Sequence, residues 1–495
     1  MTTTDHREWP PALRAALASP PPDQKDWPWS LAPQVIGLFL WIAFLDQIPQ
    51  EALRPGGVAW PVLGATVAGV SCYLFLYRSP AMWGMTTGRP GGVIATSTFG
   101  VTGATWIPGL LVACVGVVWL AVSVAYATSL CLRGLILFGM LDPRYLSPRG
   151  AGRGGTPGGL FLVTSLLWCY AAAFVGRYLV RVSAALMNAY SIVPALLLGL
   201  AAVLAFPGLR GHDATRVFRG VTPSGIHAGV FSALVTVQMI FGFFATTGLM
   251  AADWGAVARD ARGVKAGGWV GVAMGSWVVA TLAILTTAGA ESLSAAGHDV
   301  RGAPGLVRVG PWRYSAALEF LLGGRLAGVA FLVLGLAALS FACYSAYVTS
   351  LRLNQIWPRV SRSKWTILGA GLAWMLVACG LVNRMLDVFS LVGGLTAPAV
   401  GAISADYVRS RGVWPGPRLG FNPPGWFAWA LGSLVGLTPL VGRAAGVSWP
   451  GLEGMQPAAV FGFVTAFLTY LVAAGLGAES AADAGAEFTP DRSPG

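Results

Sequence analysis

Charged residues are scarce in this sequence. Asp, Glu, Lys and Arg together make up 11% of its 495 residues, whereas 55% of the residues are hydrophobic. A soluble globular domain carries about a quarter charged residues, so the composition argues against a soluble domain. It indicates a multi-pass protein of a cell membrane, with the lipid bilayer as its main surroundings.

The sequence also lacks any basic block interleaved with aromatic residues. Its net charge is +12, but only Lys25, Lys265 and Lys364 are lysines, and the arginines are scattered. Nucleic-acid binding is therefore not expected. We expect the basic excess to help set the topology at an anionic membrane face.

Motifs for structural metals and for catalysis are absent as well. The six cysteines form no CxxC pair, and the four histidines are dispersed, so neither a disulfide framework nor a zinc site is expected. No HExxH motif, paired acidic motif or Ser-His-Asp set lies within an apolar run. We therefore expect no enzyme activity, and no cofactor other than a coupling ion.

Long apolar runs dominate what remains. Twelve stretches free of Asp, Glu, Lys, Arg and His are candidates to cross a bilayer, and an even number places both termini on one side. The distribution of basic residues favours a cytoplasmic N-terminus. Residues 1–25 are predicted to be a cytoplasmic tail, and residues 478–495 a disordered tail. The predicted spans are 27–45, 57–77, 107–132, 157–176, 182–209, 228–252, 266–290, 326–351, 365–383, 388–405, 419–442 and 455–477.

Two of these spans carry residues that interrupt a membrane helix. Span 1 ends in the polar segment 44–51, which contains Pro49, and span 6 contains the glycine- and threonine-rich segment 242–248. Interrupted helices at corresponding positions of two halves are the best sequence indication of a transporter site. Two alternatives stay open: residues 46–51 are a loop after span 1, and the small residues of span 6 serve close helix packing.

Four segments, in order, resemble one protein family. They cover residues 86–103 (TTGRP and TFGVTG), 116–120 (GVVWL), 244–254 (FATTGLMAADW) and 397–407 (APAVGAISADY). This sequence resembles the nucleobase:cation symporters, which include the cytosine and purine permeases. The resemblance implies a LeuT-like, all-α membrane fold with two inverted five-helix repeats. It places a ten-helix core at 26–408 and two additional helices at 409–477.

The resemblance also implies substrate-binding residues. Trp119 in span 3 and Phe244 in span 6 match aromatic positions that sandwich a flat heterocycle, and stacking of this kind is sequence-tolerant. Gln47 matches a glutamine that reads the edge of the ring, and Ser123 stands where some members carry glutamine. Gly242 and Thr246 complete the predicted site with backbone and hydroxyl groups.

A cation site is implied in the same way, between span 1 and span 8. Ala43, Asp46, Ala337 and Ser340 match its oxygen donors, and hard cations need oxygen ligands. Phe341 departs from the pattern, since it replaces a second hydroxyl. We hypothesise that Asp46 makes up for the missing oxygen, either as a sodium ligand or as a proton carrier; the alternative is an ordinary solvated loop acid.

Three further acids are interpreted as anchors or gate ion pairs with a basic residue nearby in sequence. The expected pairs are Asp253 with Arg259, Asp406 with Arg409, and Asp387 with Arg384.

The sequence therefore predicts a symporter that imports a nucleobase or related heterocycle with sodium or protons by alternating access. The alternative is a membrane protein of this fold without coupled transport, such as a facilitator or a sensor. The sequence contains no indication of an oligomeric state.

Overall fold

The computed structural model describes residues 13–14, 16, 22–27, 37–143, 158–179, 191–210, 226–296, 313–446 and 455–482. Within these ranges all regular elements are helical, as predicted, and β-pairing is limited to isolated bridges. The helices are α1 Ile42–Gly56, α2 Ala59–Thr87, α3 Gly91–Phe99, α4 Val101–Leu137, α5 Gly159–Tyr178, α6 Ile192–Leu209, α7 Ile226–Leu249, α8 Ala251–Ala256, α9 Ala261–Ala295, α10 Tyr314–Leu322, α11 Gly324–Ile356, α12 Arg362–Ala378, α13 Met385–Arg409, α14 Pro423–Ala444 and α15 Ala458–Gly475.

Ten helices in the described part of the chain are long and apolar enough to cross a membrane. They make the chain a multi-pass membrane protein. Predicted spans 1 and 9 are not among the ten. Part of span 1, residues 28–36, lies outside the described residues, and span 9 appears as α12, a helix of 17 residues.

The first membrane helix is broken, but not where the sequence predicted. Gly37–Phe39 is helical, Trp41 is extended (φ −65°, ψ 128°), and α1 then begins. The predicted interruption at residues 44–51 is wrong, because this segment lies within α1. Pro49 removes a single helical hydrogen bond, which a helix held between neighbours tolerates.

The sixth membrane helix is also broken, again at a neighbouring position. The segment 242–248 is continuous within α7, so the predicted loosening there is wrong. The break falls at Met250 (φ −102°, ψ 0°), between α7 and α8. The glycines of the segment serve close packing instead, since a Cβ on Gly242 would lie 2.8 Å from the carbonyl oxygen of Phe389.

An inverted repeat is visible around two short helices. α3 and α10 each have nine residues, and each is followed by one glycine of positive φ, Gly100 (+82°) or Gly323 (+66°). A long helix begins directly after each glycine. These long helices, α4 and α11, are antiparallel, because Gly116 contacts Thr349 whereas Gly134 contacts Gly328. The two short helices therefore lie at opposite ends of the helix bundle.

The first residues of the predicted C-terminal tail contact the helix bundle. Glu479, within the predicted disordered tail, pairs with Arg409 at 2.8 Å and with Arg418 at 2.7 Å. Residues 483–495 of that predicted tail lie outside the described part of the chain, as does most of the predicted N-terminal tail.

Candidate functional site

A cavity lies where the two broken helices meet α4 and α11. Leu38 contributes from the turn before the first break, and Met250 forms the second break itself. Val112, Gly116 and Trp119 line the cavity from α4. Backbone interruptions free polar groups that need partners, so a membrane protein places them beside a cavity or within protein.

Aromatic rings form much of the cavity wall. The rings of Trp119 and Phe243 have centroids 5.6 Å apart at 67°, and Phe341 contributes a third ring from α11. Trp41, at the first break, packs on all three, at centroid distances of 5.5 Å, 5.8 Å and 5.0 Å respectively. The family resemblance placed Trp119 in the site but included neither Trp41 nor Phe243. Phe243 lies inside the segment 242–248 and Trp41 lies just before the segment 44–51, and this was the one sequence signal for either ring.

The hydroxyl of Thr246 is the polar group best placed to meet a ligand. The side chain is 7% exposed and lines the cavity, and its Oγ1 has no hydrogen-bond partner among the described residues. A buried hydroxyl without a partner costs free energy, which a ligand group can recover. Thr247, Tyr344 and Ser345 add further hydroxyls to the lining, which contains no charged side chain.

Four other predicted substrate-binding residues lie outside the cavity lining. Phe244 is fully buried and stacks on Phe39, with ring centroids 5.7 Å apart at 16°. Adjacent residues of a helix point about 100° apart, so Phe243 faces the cavity and Phe244 does not. Gly242 packs against the backbone of α13.

Gln47 and Ser123 are buried, and neither lines the cavity. The Gln47 Nε2 donates to the Tyr126 hydroxyl at 2.8 Å. Ser123 is fully buried, and its hydroxyl has no partner among the described residues. Their roles, like those of the other predicted site residues, stay predictions.

The predicted cation ligands have partners within the protein or lie within a helix. Ser340 Oγ donates to the Ala337 carbonyl within its own helix at 2.8 Å, and Ala43 lies inside α1. Asp46 directs both carboxylate oxygens at Ser315. Phe341 places a ring where the resemblance implies a hydroxyl, and Trp41 stacks on that ring. The predicted set therefore offers one hydroxyl fewer than the resemblance implies, and its role as a cation site stays a prediction.

The three expected acid–base pairs are wrong in their partners. Asp253 pairs with Arg352 at 3.5 Å, and Asp387 with Arg443 at 2.9 Å. Asp406 accepts from the hydroxyls of Ser97 and Thr98, at 2.8 and 2.9 Å. Each partner is remote in sequence, which is why nearness along the chain was a poor guide.

Several solved structures share this arrangement of helices. The broken helices and the inverted repeat define a LeuT-like transporter fold, as the sequence predicted. An inward-facing Mhp1 structure matches with a TM-score of 0.61 and 16% identity, over 93% of this chain and 94% of that one. Mhp1, of the nucleobase-cation-symport-1 family, in a closed conformation with bromovinylhydantoin bound, matches with a TM-score of 0.57, also at 16% identity, over 93% and 96%.

A Na⁺-coupled sialic acid symporter matches with a TM-score of 0.53 and 13% identity, over 95% of this chain and 93% of that one. No protein-family model matches the sequence, and no curated protein does. At these identities the similarity establishes the fold.

Proposed function

We propose that this protein is a secondary transporter that imports a small, uncharged, planar heterocycle such as a nucleobase or hydantoin by alternating access. The observation that carries this proposal is the cavity beside the two helix breaks, whose lining includes the rings of Trp119 and Phe243 in edge-to-face contact. The fold shared with symporters supports the same function. The neighbouring transporter that holds bromovinylhydantoin makes hydantoins natural probes.

The lining supports a flat and neutral ligand. Aromatic stacking on a base contributes about 1–3 kcal/mol and tolerates different rings. Burial of a charged ligand is favoured by a charged partner, and the lining among the described residues has no charged side chain. Thr246 Oγ1 would then hydrogen-bond the edge of the ring, while the Gln47 amide is already bound to Tyr126.

Ligand binding is the direct test. Purified protein is screened by thermal unfolding with uracil, cytosine, hypoxanthine, hydantoin and allantoin, because a ligand that binds the folded state raises its Tm. We expect at least one of these probes to raise the Tm of the wild type, and Trp119→Ala and Phe243→Ala to abolish the rise. Phe244→Ala is the matched control, since its ring lies behind the helix and should leave ligand binding largely intact. A screen without any stabilising heterocycle would refute the proposal.

Coupling to a cation is the finer part of the proposal, and one observation favours a second candidate. Phe341 stacks on Trp41 and supplies a ring where the resemblance implies a hydroxyl ligand, which favours a facilitator without ion coupling. Uptake of a radiolabelled hit into proteoliposomes, with and without sodium and proton gradients, separates the two. Accumulation above equilibrium that requires a gradient identifies a symporter, and equilibration that is insensitive to both gradients identifies a facilitator.

A further inference from the structure

Each broken helix carries an acid just beyond its break. Asp46 follows the break at Trp41, and Asp253 follows the break at Met250. The Asp46 side chain is buried, and that of Asp253 is mostly buried. Neither residue lines the cavity, so neither is explained by ligand binding.

Both acids bind the N-terminus of a short helix. Asp46 Oδ1 accepts from the backbone N–H of Ser315 at 2.7 Å, and its Oδ2 accepts from the Ser315 hydroxyl at 3.0 Å, at the start of α10. Asp253 Oδ1 accepts from the backbone N–H of Gly91 at 2.8 Å, at the start of α3. The first N–H groups of a helix have no partner within the helix and carry partial positive charge, so a carboxylate is the favoured acceptor.

The two contacts are related by the inverted repeat. α3 and α10 are the corresponding nine-residue helices, and the broken helices also correspond. Asp46 belongs to the first half of the repeat and holds the short helix of the second half. Asp253 belongs to the second half and holds the short helix of the first. Because the short helices lie at opposite ends of the bundle, one contact lies at each end.

Basic side chains reinforce each contact. At the Asp46 end, Arg313 Nε donates to Gln50 at 2.8 Å, and Arg133 Nε donates to Glu319 of α10 at 2.9 Å. At the Asp253 end, the guanidinium of Arg352 lies 3.5 Å from Asp253 Oδ2. Arg352 also lies over the start of α3, since a Cβ on Gly92 would be 3.5 Å from its Nη1.

We propose that Asp46 and Asp253 are the latches of two gates, each of which holds a short helix over its own end of the cavity and releases it when that end opens. Asp46–Ser315 is the latch at one membrane face, and Asp253–Gly91 is the latch at the other. Both contacts are formed in this structure. The inference rests on the proposed alternating access, and it names the two side chains that hold and release the short helices in turn.

Loss of one latch and loss of the other should change access to the cavity from opposite membrane faces. This difference can be measured without a substrate. A cysteine is introduced in the cavity by Ser345→Cys, and its labelling by a membrane-impermeant maleimide is measured from each face of oriented vesicles. The protein without this cysteine gives the background from the six native cysteines. Loss of a buried hydrogen bond to a carboxylate shifts a two-state equilibrium by about tenfold or more.

We expect Asp46→Ala to raise the labelling rate from the Asp46 face by about tenfold and to lower it from the opposite face. Asp253→Ala should do the reverse. Ser315→Ala removes one of the two Asp46 contacts, and it should act in the same direction as Asp46→Ala but less strongly, which keeps the test decisive if Asp46→Ala does not fold. Asp387→Ala is the matched control, because Asp387 forms an exposed pair with Arg443 away from both short helices.

Opposite shifts from the two latches support the proposal. Shifts toward the same face, increases at both faces, or no change relative to Asp387→Ala would overturn it. The labelling needs no heterocycle, so a failed ligand screen refutes the proposed substrate and leaves this result standing. Conversely, a chain that binds heterocycles but shows no opposite shifts keeps the proposed function and loses the latches.

Discussion

The indole of Trp41 and the ring of Phe341 stack with centroids 5.0 Å apart and planes inclined by 28°. Trp41 lies at the break of the first membrane helix, and Phe341 lies one residue beyond Ser340 on α11. The two rings join the first broken helix to α11, and Phe341 stands where the family resemblance implies a hydroxyl ligand of a cation.

This stack predicts indifference to sodium. Because Phe341 removes one hydroxyl ligand of the implied cation site, we expect the same Tm in sodium, potassium and choline chloride at equal ionic strength. The measurement is thermal unfolding of the purified protein over a range of each salt. A saturable rise in Tm that is specific to sodium would show that a sodium site exists after all.

The Thr246 hydroxyl should contribute to the affinity for a heterocycle, and its removal should leave the fold unchanged. Thr246→Val keeps the shape and removes the hydroxyl, so we expect affinity for a heterocycle found in the ligand screen to fall by about fivefold, equivalent to one hydrogen bond of about 1 kcal/mol. Thr246→Ser keeps the hydroxyl and should bind nearly as the wild type does. Isothermal titration or a competition assay measures both. Equal affinities for the valine and serine variants would exclude a hydrogen bond from this side chain.

Two glycines should be intolerant of a methyl group. A Cβ on Gly84 would collide with the backbone of Ala252, and a Cβ on Gly255 would collide with the backbone of Ala81, so α2 and α8 interlock. We expect alanine at either glycine to destabilise the protein by about 1–3 kcal/mol, because backbone cannot move aside as a side chain can.

Gly199 provides the control for this comparison. A Cβ at Gly199 in α6 meets nothing within 4 Å, so Gly199→Ala should be neutral or slightly stabilising. Thermal unfolding in one detergent compares the three variants. The interlock would be refuted if alanine at Gly84 were as well tolerated as alanine at Gly199.

Tyr126→Phe tests the predicted role of Gln47. The substitution leaves the buried Gln47 amide without its 2.8 Å partner, and we expect a loss of about 1–3 kcal/mol in unfolding free energy. If Gln47 reads the ligand, the freed amide should also raise affinity for a heterocycle. Unfolding and ligand titration of Tyr126→Phe, Gln47→Leu and the double variant measure both effects. Unchanged affinity in Tyr126→Phe would leave Gln47 with a structural role alone.

The sequence by itself determined the membrane class and most spans. Long uncharged runs can be stable only in lipid or in a buried core, and the order of four short motifs was enough to predict the LeuT-like fold. It also indicated which two helices are interrupted, because glycine, proline and polar residues cluster there.

The tertiary structure alone decided where those helices break and which rings face the cavity. A break forms where neighbouring helices can satisfy the freed backbone groups. The two breaks therefore lie at Trp41 and Met250, although the sequence signals lie at Pro49 and Gly242. Adjacent side chains of a helix point about 100° apart. An alignment error of one residue therefore leaves a predicted span almost unchanged, but it selects Phe244 instead of Phe243 as the ring that faces the cavity. Asp46 and its partner Ser315 are 269 residues apart, and Asp253 and its partner Gly91 are 162 apart. Only the folding of the two halves of the repeat against each other brings them together.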